Sequence, residues 1–354
     1  MHPFFSVIMP VYNAQDVIGA SIESVLGQPV EELELIIIND GSTDDSEKLI
    51  WEFMQKDERI VYRKIDNSGP AVARNVGLTL ASGEYVLFLD ADDEWQTNML
   101  SSVRSHLESR PDLLIWGFIM RNFRENSDFL NTCRRTSIGS PEQMAQNFGM
   151  LYENNLLNQI WNKAYRLDLL KRWGVSFPDF HYGEDRLFVF DVLKHCQKVE
   201  VIPECLYYYH IRPKESLVTK YCDNKFDVCN LIDDYIEELQ KEIQFSDPTN
   251  TKINYMYLKS ILSCETNLYS RSCPLTAQEK KKKLSQILNH SKLKYQLKKY
   301  RPHDLAMNLS VMVMKTKSIF LNSLLARFII FTSEKHSDLF IRVKHPKSSR
   351  IKIG

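Results

Sequence analysis

The chain has 354 residues, and hydrophobic residues make up 44% of it, which excludes a mainly disordered protein. Its 45 basic and 45 acidic side chains cancel, so no overall positive charge indicates a nucleic-acid-binding protein. The two signs are unevenly distributed, however. From Lys280 onward there are 18 Lys and Arg against 3 Asp and Glu, whereas the first 279 residues hold 27 basic and 42 acidic side chains.

The cysteines and the apolar segments bear on the cellular compartment. Seven cysteines, an odd number without a C-x-x-C pair, indicate reduced thiols. The N-terminus shows no secretory signal, and the apolar run at 318–331 is interrupted by Asn322, Ser323 and Arg327. That run is also too short to span ~30 Å of hydrocarbon. We therefore expect a cytoplasmic protein without a transmembrane helix.

The first 120 residues alternate short apolar runs with helical periodicity. Strands are predicted at 6–9, 33–38, 60–62 and 85–89, with a helix in each interval. This alternation is typical of βαβ units and predicts an α/β fold with a mostly parallel, Rossmann-like central sheet. Polar turns at 39–44 and 90–93 follow two of the strands. Ligands bind beyond the carboxyl ends of the strands in open α/β sheets, so these turns indicate a site.

The second of these turns is acidic. Asp90 and Asp92 alternate at the end of an apolar strand, and two such carboxylates suit a hard divalent cation, Mg²⁺ or Mn²⁺, together with ligand phosphates. The alternative is that the acidic residues only begin a solvated turn and cap the next helix. The spacing by itself does not decide between the two.

The remainder of the chain divides near residue 220. A further strand is predicted at 113–118, a helix at 184–195, and short strands at 199–202 and 206–209. From about Asp223 the periodicity is helical almost throughout. We therefore predict an α/β domain at 1–220, which holds the predicted site, and a helical, basic C-terminal region at 221–354.

Four sequence blocks occur in a fixed order: S-V-I-M-P-V-Y-N at 6–13, I-I-I-N-D-G-S-T-D at 36–44, G-x-x-x-A-R-N-V-G-L at 69–78, and D-A-D-D at 90–93. Together they resemble the signature of the family 2 glycosyltransferases, GT-A fold enzymes that build bacterial capsule, lipopolysaccharide and exopolysaccharide. The resemblance covers residues 4–215. It implies a nucleotide-diphosphate-sugar donor, a divalent metal and inversion at the anomeric carbon.

The resemblance also implies roles for residues of the donor site. Pro10 and Tyr12 would line the base pocket, and Asp40 would accept the ring N–H of uracil, which favours UDP. The path of the nucleotide sugar and metal would then be lined by Asn67, Gly69, Arg74, Asp90, Ala91 and Asp92, with Asp92 as a metal ligand and Asp90 at the ribose or the metal. Each has a structural alternative: Tyr12 covering the sheet end, Asp40 forming a turn, and Arg74 pairing with surface carboxylates.

The segment G-E-D-R at 183–186 is similar to the Glu-Asp motif of these transferases. There the Asp deprotonates the acceptor hydroxyl, which makes Asp185 the candidate base and Glu184 the neighbouring candidate. An in-line carboxylate orients the hydroxyl and accepts its proton late in the displacement. Alternatively, both acids stabilise the positive end of the following helix, by ~0.3–1 kcal/mol.

Two further segments are candidates for contact with substrate. Trp161, Asn162 and Lys163 would flank the sugar and the acceptor, unless Trp161 is a core residue and Lys163 a surface charge. The segment Y-Y-Y-H-x-R at 207–212, followed by Ser216, also resembles the capsule-type subgroup. Its His210 or Arg212 would approach the diphosphate, although lone histidines are more often structural.

Basic residues concentrate from Lys280 to Arg301, interspersed with apolar residues at helical spacing. Such a surface is attracted to anionic lipid, at ~1 kcal/mol per basic residue near the headgroups. A lipid-linked acceptor at the inner face of the cytoplasmic membrane would explain it. The alternatives are a solvated basic face and docking to an acidic partner, including the protein's own acidic N-terminal part.

The sequence thus predicts a metal-dependent, inverting hexosyltransferase that moves one sugar from a UDP-sugar to a lipid-linked or growing bacterial surface polysaccharide. The alternatives are a GDP- or dTDP-sugar donor, or a non-catalytic glycan-binding or scaffold protein. Phosphate-binding motifs of P-loop and dinucleotide enzymes are absent, as is the Q-x-x-R-W of processive synthases. The sequence leaves the oligomeric state open.

Overall fold

The computed structural model describes residues 2–123, 127–180, 182–212, 221–302, 304–335 and 349–352. The strands are β1 Phe5–Val11, β2 Leu33–Asp40, β3 Ile60–Ile65, β4 Tyr85–Phe88, β5 Glu94–Trp95, β6 Leu113–Asn122, β7 Ser127–Asn131, β8 Thr136–Ile138, β9 Lys163–Arg166, β10 Val199–Ile211 and β11 Ser349–Lys352. The helices are α1 Ile18–Leu26, α2 Ser46–Met54, α3 Pro70–Leu80, α4 Met99–His106, α5 Pro141–Glu153, α6 Leu167–Trp173, α7 Glu184–His195, α8 Lys225–Glu242, α9 Asp247–Asn267, α10 Ala277–Asn289, α11 Ser291–Lys299, α12 Leu305–Thr316 and α13 Ile319–Lys335.

One sheet organises the fold. Its main path runs β11-β7-β6-β9-β4-β1-β2-β3, and β10 pairs with β5, β6 and β8. Strands β3, β2, β1, β4 and β6 share one direction, while β9, between β4 and β6, is antiparallel to both. The buried runs explain the arrangement: Leu35 to Ile38 of β2 are fully buried, as expected for a strand covered on both faces. The predicted α/β class and mostly parallel central sheet are confirmed.

The strand β10 differs from the prediction of two short strands. It runs continuously from Val199 to Ile211, with register shifts against β6 between Val201 and Cys205 and between Cys205 and Tyr207. Pro203 lies at the first irregularity, where it has no N–H to donate to the ladder. The interruption in the apolar pattern therefore marks a bend within one strand.

Helix α3 carries Arg74 against the sheet, and two glycines permit this. Gly69 precedes the helix at φ 87°, a left-handed conformation that favours glycine, and Pro70 begins the first turn. Gly77 faces β1 so closely that a Cβ there would lie 2.4 Å from Cγ2 of Ile8. The close packing sets the height of Arg74 above the sheet.

The C-terminal part of the described chain is mainly helical, from α8 to α13, as predicted. Its helices share one hydrophobic core with the sheet, since α9 packs on α5 and α8 packs on α7. Strand β11 is the exception to the helical expectation, because it pairs antiparallel with β7. Among the described residues, no helix has the length and apolarity needed to cross a membrane. The domain boundary at residue 220 stays a prediction.

Candidate active site

A single guanidinium joins three carboxylates from distant parts of the chain. Nη1 of Arg74 lies 2.9 Å from Oδ1 of Asp185 and 3.4 Å from Oε1 of Glu184, and Nη2 lies 3.1 Å from Oδ1 of Asp90. Burial alone would lower the pKa of Arg74, but the charges of Asp185, Asp90 and Glu184 outweigh burial and raise it. The turn after β4, the first half of α3 and the start of α7 thus meet at one cation. Arg74 pairs with the carboxylates that line this site.

Asp185 is poised to exchange a proton near neutral pH. Burial raises its pKa most; the Arg74 charge lowers it, and the charges of Glu184 and Asp90 raise it again, to about 7. Asp185 stands in the first turn of α7, beside Glu184, where the helix dipole favours negative charge. The helix end fixes both side chains, so the structural role predicted for them is compatible with a catalytic one.

The acidic turn after β4 divides into exposed and buried carboxylates. The side chain of Asp92 is 59% exposed, and its Oδ2 lies 3.6 Å from Nη1 of Arg212. Ala91 is buried, and its carbonyl accepts a hydrogen bond of 2.8 Å from the Ser21 hydroxyl. Partial burial and the charge of Asp90 raise the pKa of Asp92, while Arg212 lowers it.

The third acid of this turn, Asp93, has a structural role that sequence reasoning missed. Its Oδ2 accepts from the Tyr207 hydroxyl at 2.8 Å, and its Oδ1 accepts from the His210 backbone N–H at 2.8 Å. These two bonds fix the acidic turn to β10. A run of carboxylates gives no sequence signal for which of them points inward, so only the structure distinguishes Asp93 from Asp92.

The predicted nucleotide-binding residues lie at or near the carboxyl ends of β1 and β2. Tyr12 is exposed, and Pro10 precedes it at the end of β1. Asp40 is buried, and its two oxygens accept from the backbone N–H groups of Ser68 at 2.7 Å and Gly69 at 2.9 Å. Asp40 therefore holds the start of α3, with Asn67 exposed alongside. Its role toward uracil stays a prediction.

The segment Trp161 to Lys163 belongs to the core. Trp161 is buried and stacks on Tyr207, with ring centroids 4.1 Å apart. Lys163 is fully buried, so its interpretation as a surface charge is wrong; its Nζ donates to the carbonyl oxygens of Leu156 and Gln159 and to Oδ1 of Asn162. These partners hold Lys163 and the buried Asn162 inside the protein. As placed here, none of the three side chains presents a surface for a sugar.

The two residues predicted to contact the diphosphate, His210 and Arg212, also have different roles. His210 is buried, and its Nδ1 lies 3.0 Å from Nη2 of Arg212, so the arginine donates to this nitrogen. Burial, together with the charges of Arg212 and Arg121, lowers the pKa of His210 to about 4, which keeps the ring neutral. Arg212 also donates to the Asp92 carbonyl. His210 thus acts through Arg212, which borders the acidic turn, while Ser216 lies outside the described residues.

Asn75 is a second positioning residue that sequence reasoning did not assign. Its Nδ2 donates to the Phe177 carbonyl at 2.9 Å, and its Oδ1 accepts from the Phe177 N–H at 2.8 Å. The pair of bonds ties α3 to the segment that leads into α7. Its position directly after Arg74 in the third sequence block was the available signal.

The exposed carboxylates of the acidic turn fit a divalent metal. Asp90 and Asp92 are the oxygen donors that Mg²⁺ and Mn²⁺ prefer, and a cation would offset the repulsion that raises the pKa of Asp92. Within the described residues, no group of three or more His, Cys, Asp and Glu side chains is arranged to hold a metal. Asp90 and Asp92 are thus the residues that would hold such a metal.

Comparison with known proteins identifies the domain. Residues 6–174 match the model of the family described as glycosyl transferase family 2. The chain is 26% identical over 223 residues to an uncharacterized glycosyltransferase of Bacillus subtilis, EpsJ, which covers 62% of this chain and 65% of that protein. It is 28% identical over 220 residues to the poly(ribitol-phosphate) beta-glucosyltransferase of Bacillus spizizenii, covering 58% of this chain and 32% of that protein. The chain thus spans less than two thirds of the length of either relative.

A solved structure shares the fold. S. aureus TarS 1–349 in complex with UDP has a TM-score of 0.63 at 21% identity, over 91% of this chain and 90% of that one. TarS 1–349 in complex with UDP-GlcNAc has a TM-score of 0.61 at 19% identity. At 91% of this chain, the likeness extends beyond the sheet into the helical C-terminal part. Residues 6–174 are therefore similar to the glycosyl transferase family 2, and the fold of the chain is GT-A-like.

Proposed function

We propose that this protein is an inverting glycosyltransferase that transfers one sugar from a UDP-sugar to a lipid-linked or growing bacterial surface polysaccharide of the capsule, lipopolysaccharide or exopolysaccharide type. The observation that carries the proposal is the contact of Arg74 with both Asp90 and Asp185. It joins the candidate metal-binding turn to the candidate base. A binding module or scaffold has no need of both.

The donor half is supported by side chains beyond the ends of the parallel strands. The exposed ring of Tyr12 is available to stack on a base, and Asp40 follows the uracil-reading pattern. TarS, which shares the fold, has been solved with UDP and with UDP-GlcNAc. We therefore favour a UDP-sugar over a GDP- or dTDP-sugar, with Asn67, Gly69 and Ala91 along its path.

The reaction is a single displacement at the anomeric carbon. The acceptor hydroxyl oxygen forms the new bond to that carbon while the bond to the diphosphate oxygen breaks, and UDP leaves with the electron pair. The Asp185 carboxylate takes the hydroxyl proton, and Arg74 holds that carboxylate in place with Glu184 beside it. A divalent metal at Asp90 and Asp92 would supply positive charge for the leaving diphosphate. Attack opposite the leaving group inverts the configuration.

The acceptor and the location are proposed from the relatives and the charge pattern. One relative is named a poly(ribitol-phosphate) beta-glucosyltransferase, which supports a polymeric acceptor of the cell surface. The basic C-terminal part supports peripheral attachment to an anionic membrane on its cytoplasmic side, where lipid-linked acceptors are presented.

Calorimetric binding of UDP, GDP and dTDP, each with Mn²⁺ and with EDTA, tests the donor and metal assignments. We expect UDP alone to bind, to need Mn²⁺, and to lose at least tenfold in affinity in Asp92→Ala. Asp168→Ala is the matched control, because the side chain of Asp168 is also 59% exposed but lies away from the site, beside Arg166 and Arg172. Tighter binding of GDP or dTDP would reassign the donor.

Turnover of a UDP-sugar by Asp185→Asn tests the base. We expect binding of UDP to persist and transfer to fall by two or more orders of magnitude. Near-normal transfer would remove Asp185 as the base, and the same assay on Glu184→Gln would then decide its neighbour. If no nucleotide binds to the wild-type protein, the scaffold alternative replaces the enzyme.

A further inference from the structure

The last two described helices expose large apolar side chains in a regular pattern. On α12 these are Leu305, Leu309 and Met312, and on α13 they are Phe320, Leu324 and Phe328. The phenylalanine side chains are the most exposed on α13, at 74% for Phe320 and 62% for Phe328. The spacings of three and four residues place each set on one face of its helix. We call these six side chains the apolar face.

Asn322 and Ala326 lie on the inward side of α13, together with the apolar Ile319, which packs against the core. Asn322 is fully buried, and its Nδ2 donates to the carbonyl oxygens of Val313 and Ser318 at 3.2 and 2.8 Å. Ala326, also fully buried, is the small residue one turn later. This helix has an amide and a methyl group on its inward side and phenylalanines on its outward side. We therefore expect the outward side to contact a second apolar environment.

The charged residues within 305–333 are all basic, and Asp304 and Glu334 stand at either end of this range. From residue 305 to residue 333 the sequence has no Asp or Glu, and it has Lys315, Lys317 and Arg327. The guanidinium of Arg327 lies 5.2 Å from the centre of the Tyr269 ring, and Nζ of Lys280 lies 6.0 Å from the same ring. Tyr269 thereby brings the start of the α10 lysine run beside α13.

Part of that lysine run is used inside the protein. Lys283 pairs with Asp223, and Lys292 pairs with Asp234 and, at 3.3 Å, with Asp233. Asp223 precedes α8, and Asp233 and Asp234 lie within it, so these lysines pair with acids of the acidic first 279 residues, one of the alternatives that the sequence analysis left open. The charge left for an external ligand includes Lys280, Lys281 and Lys282, next to the apolar face.

A second copy of the chain is a poor match for this surface. A symmetric dimer would place the same face against itself and bring Lys315, Lys317 and Arg327 close to their own copies without an acidic partner. An anionic bilayer suits both the apolar side chains and the cations. Its acyl chains would surround the phenylalanines, and its phosphates would neutralise the cations. We propose that α12 and α13 dock this protein on a membrane of anionic phospholipid through the apolar face.

This inference deepens the proposed peripheral attachment, and it rests on the proposed function only for the reason why a membrane is needed. The principal contact with the membrane is then made by α12 and α13, and not by the lysine run of α10 and α11. A lipid-linked acceptor would then be held at the same surface as the enzyme.

Co-sedimentation of the full chain with vesicles tests the docking. The vesicles are phosphatidylcholine, with or without a third of phosphatidylglycerol, at low and high salt. We expect binding to the anionic vesicles, weakened by salt, and a loss of at least tenfold in the double variant Phe320→Ser/Phe328→Ser. Trp51→Ser is the matched control, since its ring is 52% exposed on α2 and should leave binding unchanged. Lys315→Gln/Arg327→Gln should weaken binding to anionic vesicles alone.

The opposite outcomes are equally clear. Equal binding by wild type and the double variant, or no binding to either vesicle, would overturn the proposal. A solution mass twice the 41.4 kDa of the chain, lost in the double variant, would assign the apolar face to a dimer. Far-UV circular dichroism verifies that the variants are folded. UDP binding by the same preparations separates this inference from the proposed function: either can fail while the other stands.

Discussion

The guanidinium of Arg74 has more carboxylates around it than one positive charge can neutralise. Asp90, Glu184 and Asp185 all lie within 3.4 Å of its nitrogens. Burial raises the pKa of Asp185 most, and the negative charges of Glu184 and Asp90 raise it further; a bound cation would offset this negative charge. At the scale of single residues, acid–base behaviour and metal binding are therefore linked.

The pH dependence of transfer follows from Asp185. Since its pKa is raised to about 7, the carboxylate form of the free enzyme declines below that pH. We expect kcat/KM to fall about tenfold per pH unit below about 7. Glu184→Gln removes a neighbouring negative charge, so the fall should begin at lower pH. A pH profile that is flat from 5 to 8 in both proteins would contradict this assignment.

Removal of the guanidinium should destabilise the fold. In Arg74→Met three carboxylates lose their shared cation, and breaking a buried ion pair typically costs ~3–5 kcal/mol of the free energy of unfolding. Urea denaturation measures the loss. Arg172→Met is the control, because its exposed pair with Asp168 at 3.6 Å is worth only ~0–1 kcal/mol. An equal loss in both variants would show that Arg74 is not the centre of the cluster.

At the scale of elements, the position of α7 depends on its connection to α3. Asn75→Ala would delete both hydrogen bonds to Phe177 and release the segment that leads to Asp185. We expect a loss of ~1–3 kcal/mol in stability and, because a displaced base reacts poorly, a fall in kcat on the order of 10²-fold. The dissociation constant of UDP should not change.

Asn147→Ala serves as its control, since that side chain donates to the Gln143 carbonyl within its own helix. A merely structural role for Asn75 would lower stability and leave kcat per folded molecule intact. Measuring both quantities on the same preparations distinguishes the two roles.

The parts of the fold that local patterns specify were predictable. Apolar runs bounded by polar turns located β1 to β4, and helical spacing located α7 from Glu184 to His195. The bend in β10 was not predictable, because Pro203 interrupts the pattern in the same way as a loop does. Nor was the inward turn of Lys163, whose partners are backbone carbonyls that leave no trace in the sequence. The contact of Arg74 with Asp185 was not predicted either, since 111 positions separate the two residues and no local pattern links them.

At the scale of the whole molecule, one buried acid should make stability depend on pH. Glu265 in α9 is fully buried, neither carboxylate oxygen has a hydrogen-bond partner among the described residues, and burial raises its pKa from 4.5 to about 8. The folded protein therefore keeps a proton that the unfolded chain loses between these pH values, so the free energy of unfolding falls as pH rises across that window.

Glu265→Gln should reduce this fall and raise the free energy of unfolding at pH 8 by ~1–3 kcal/mol. Thermal melts at pH 5 and pH 8 measure the difference, and the exposed Glu242→Gln should leave it unchanged. If Glu265→Gln loses as much stability between pH 5 and pH 8 as the wild type does, a group other than Glu265 causes the pH dependence.

The pairing of β11 with β7 has a consequence during synthesis on the ribosome. Ser349 to Lys352 lie opposite Ser127 to Leu130, so the outermost hydrogen-bonded ladder joins segments more than 200 residues apart. Until the later segment emerges from the exit tunnel, the outer edge of β7 presents unpaired N–H and C=O groups, the template on which nascent chains associate wrongly. Nascent chains arrested before residue 349 carry this open edge, so chaperones that cover strand edges matter most for them.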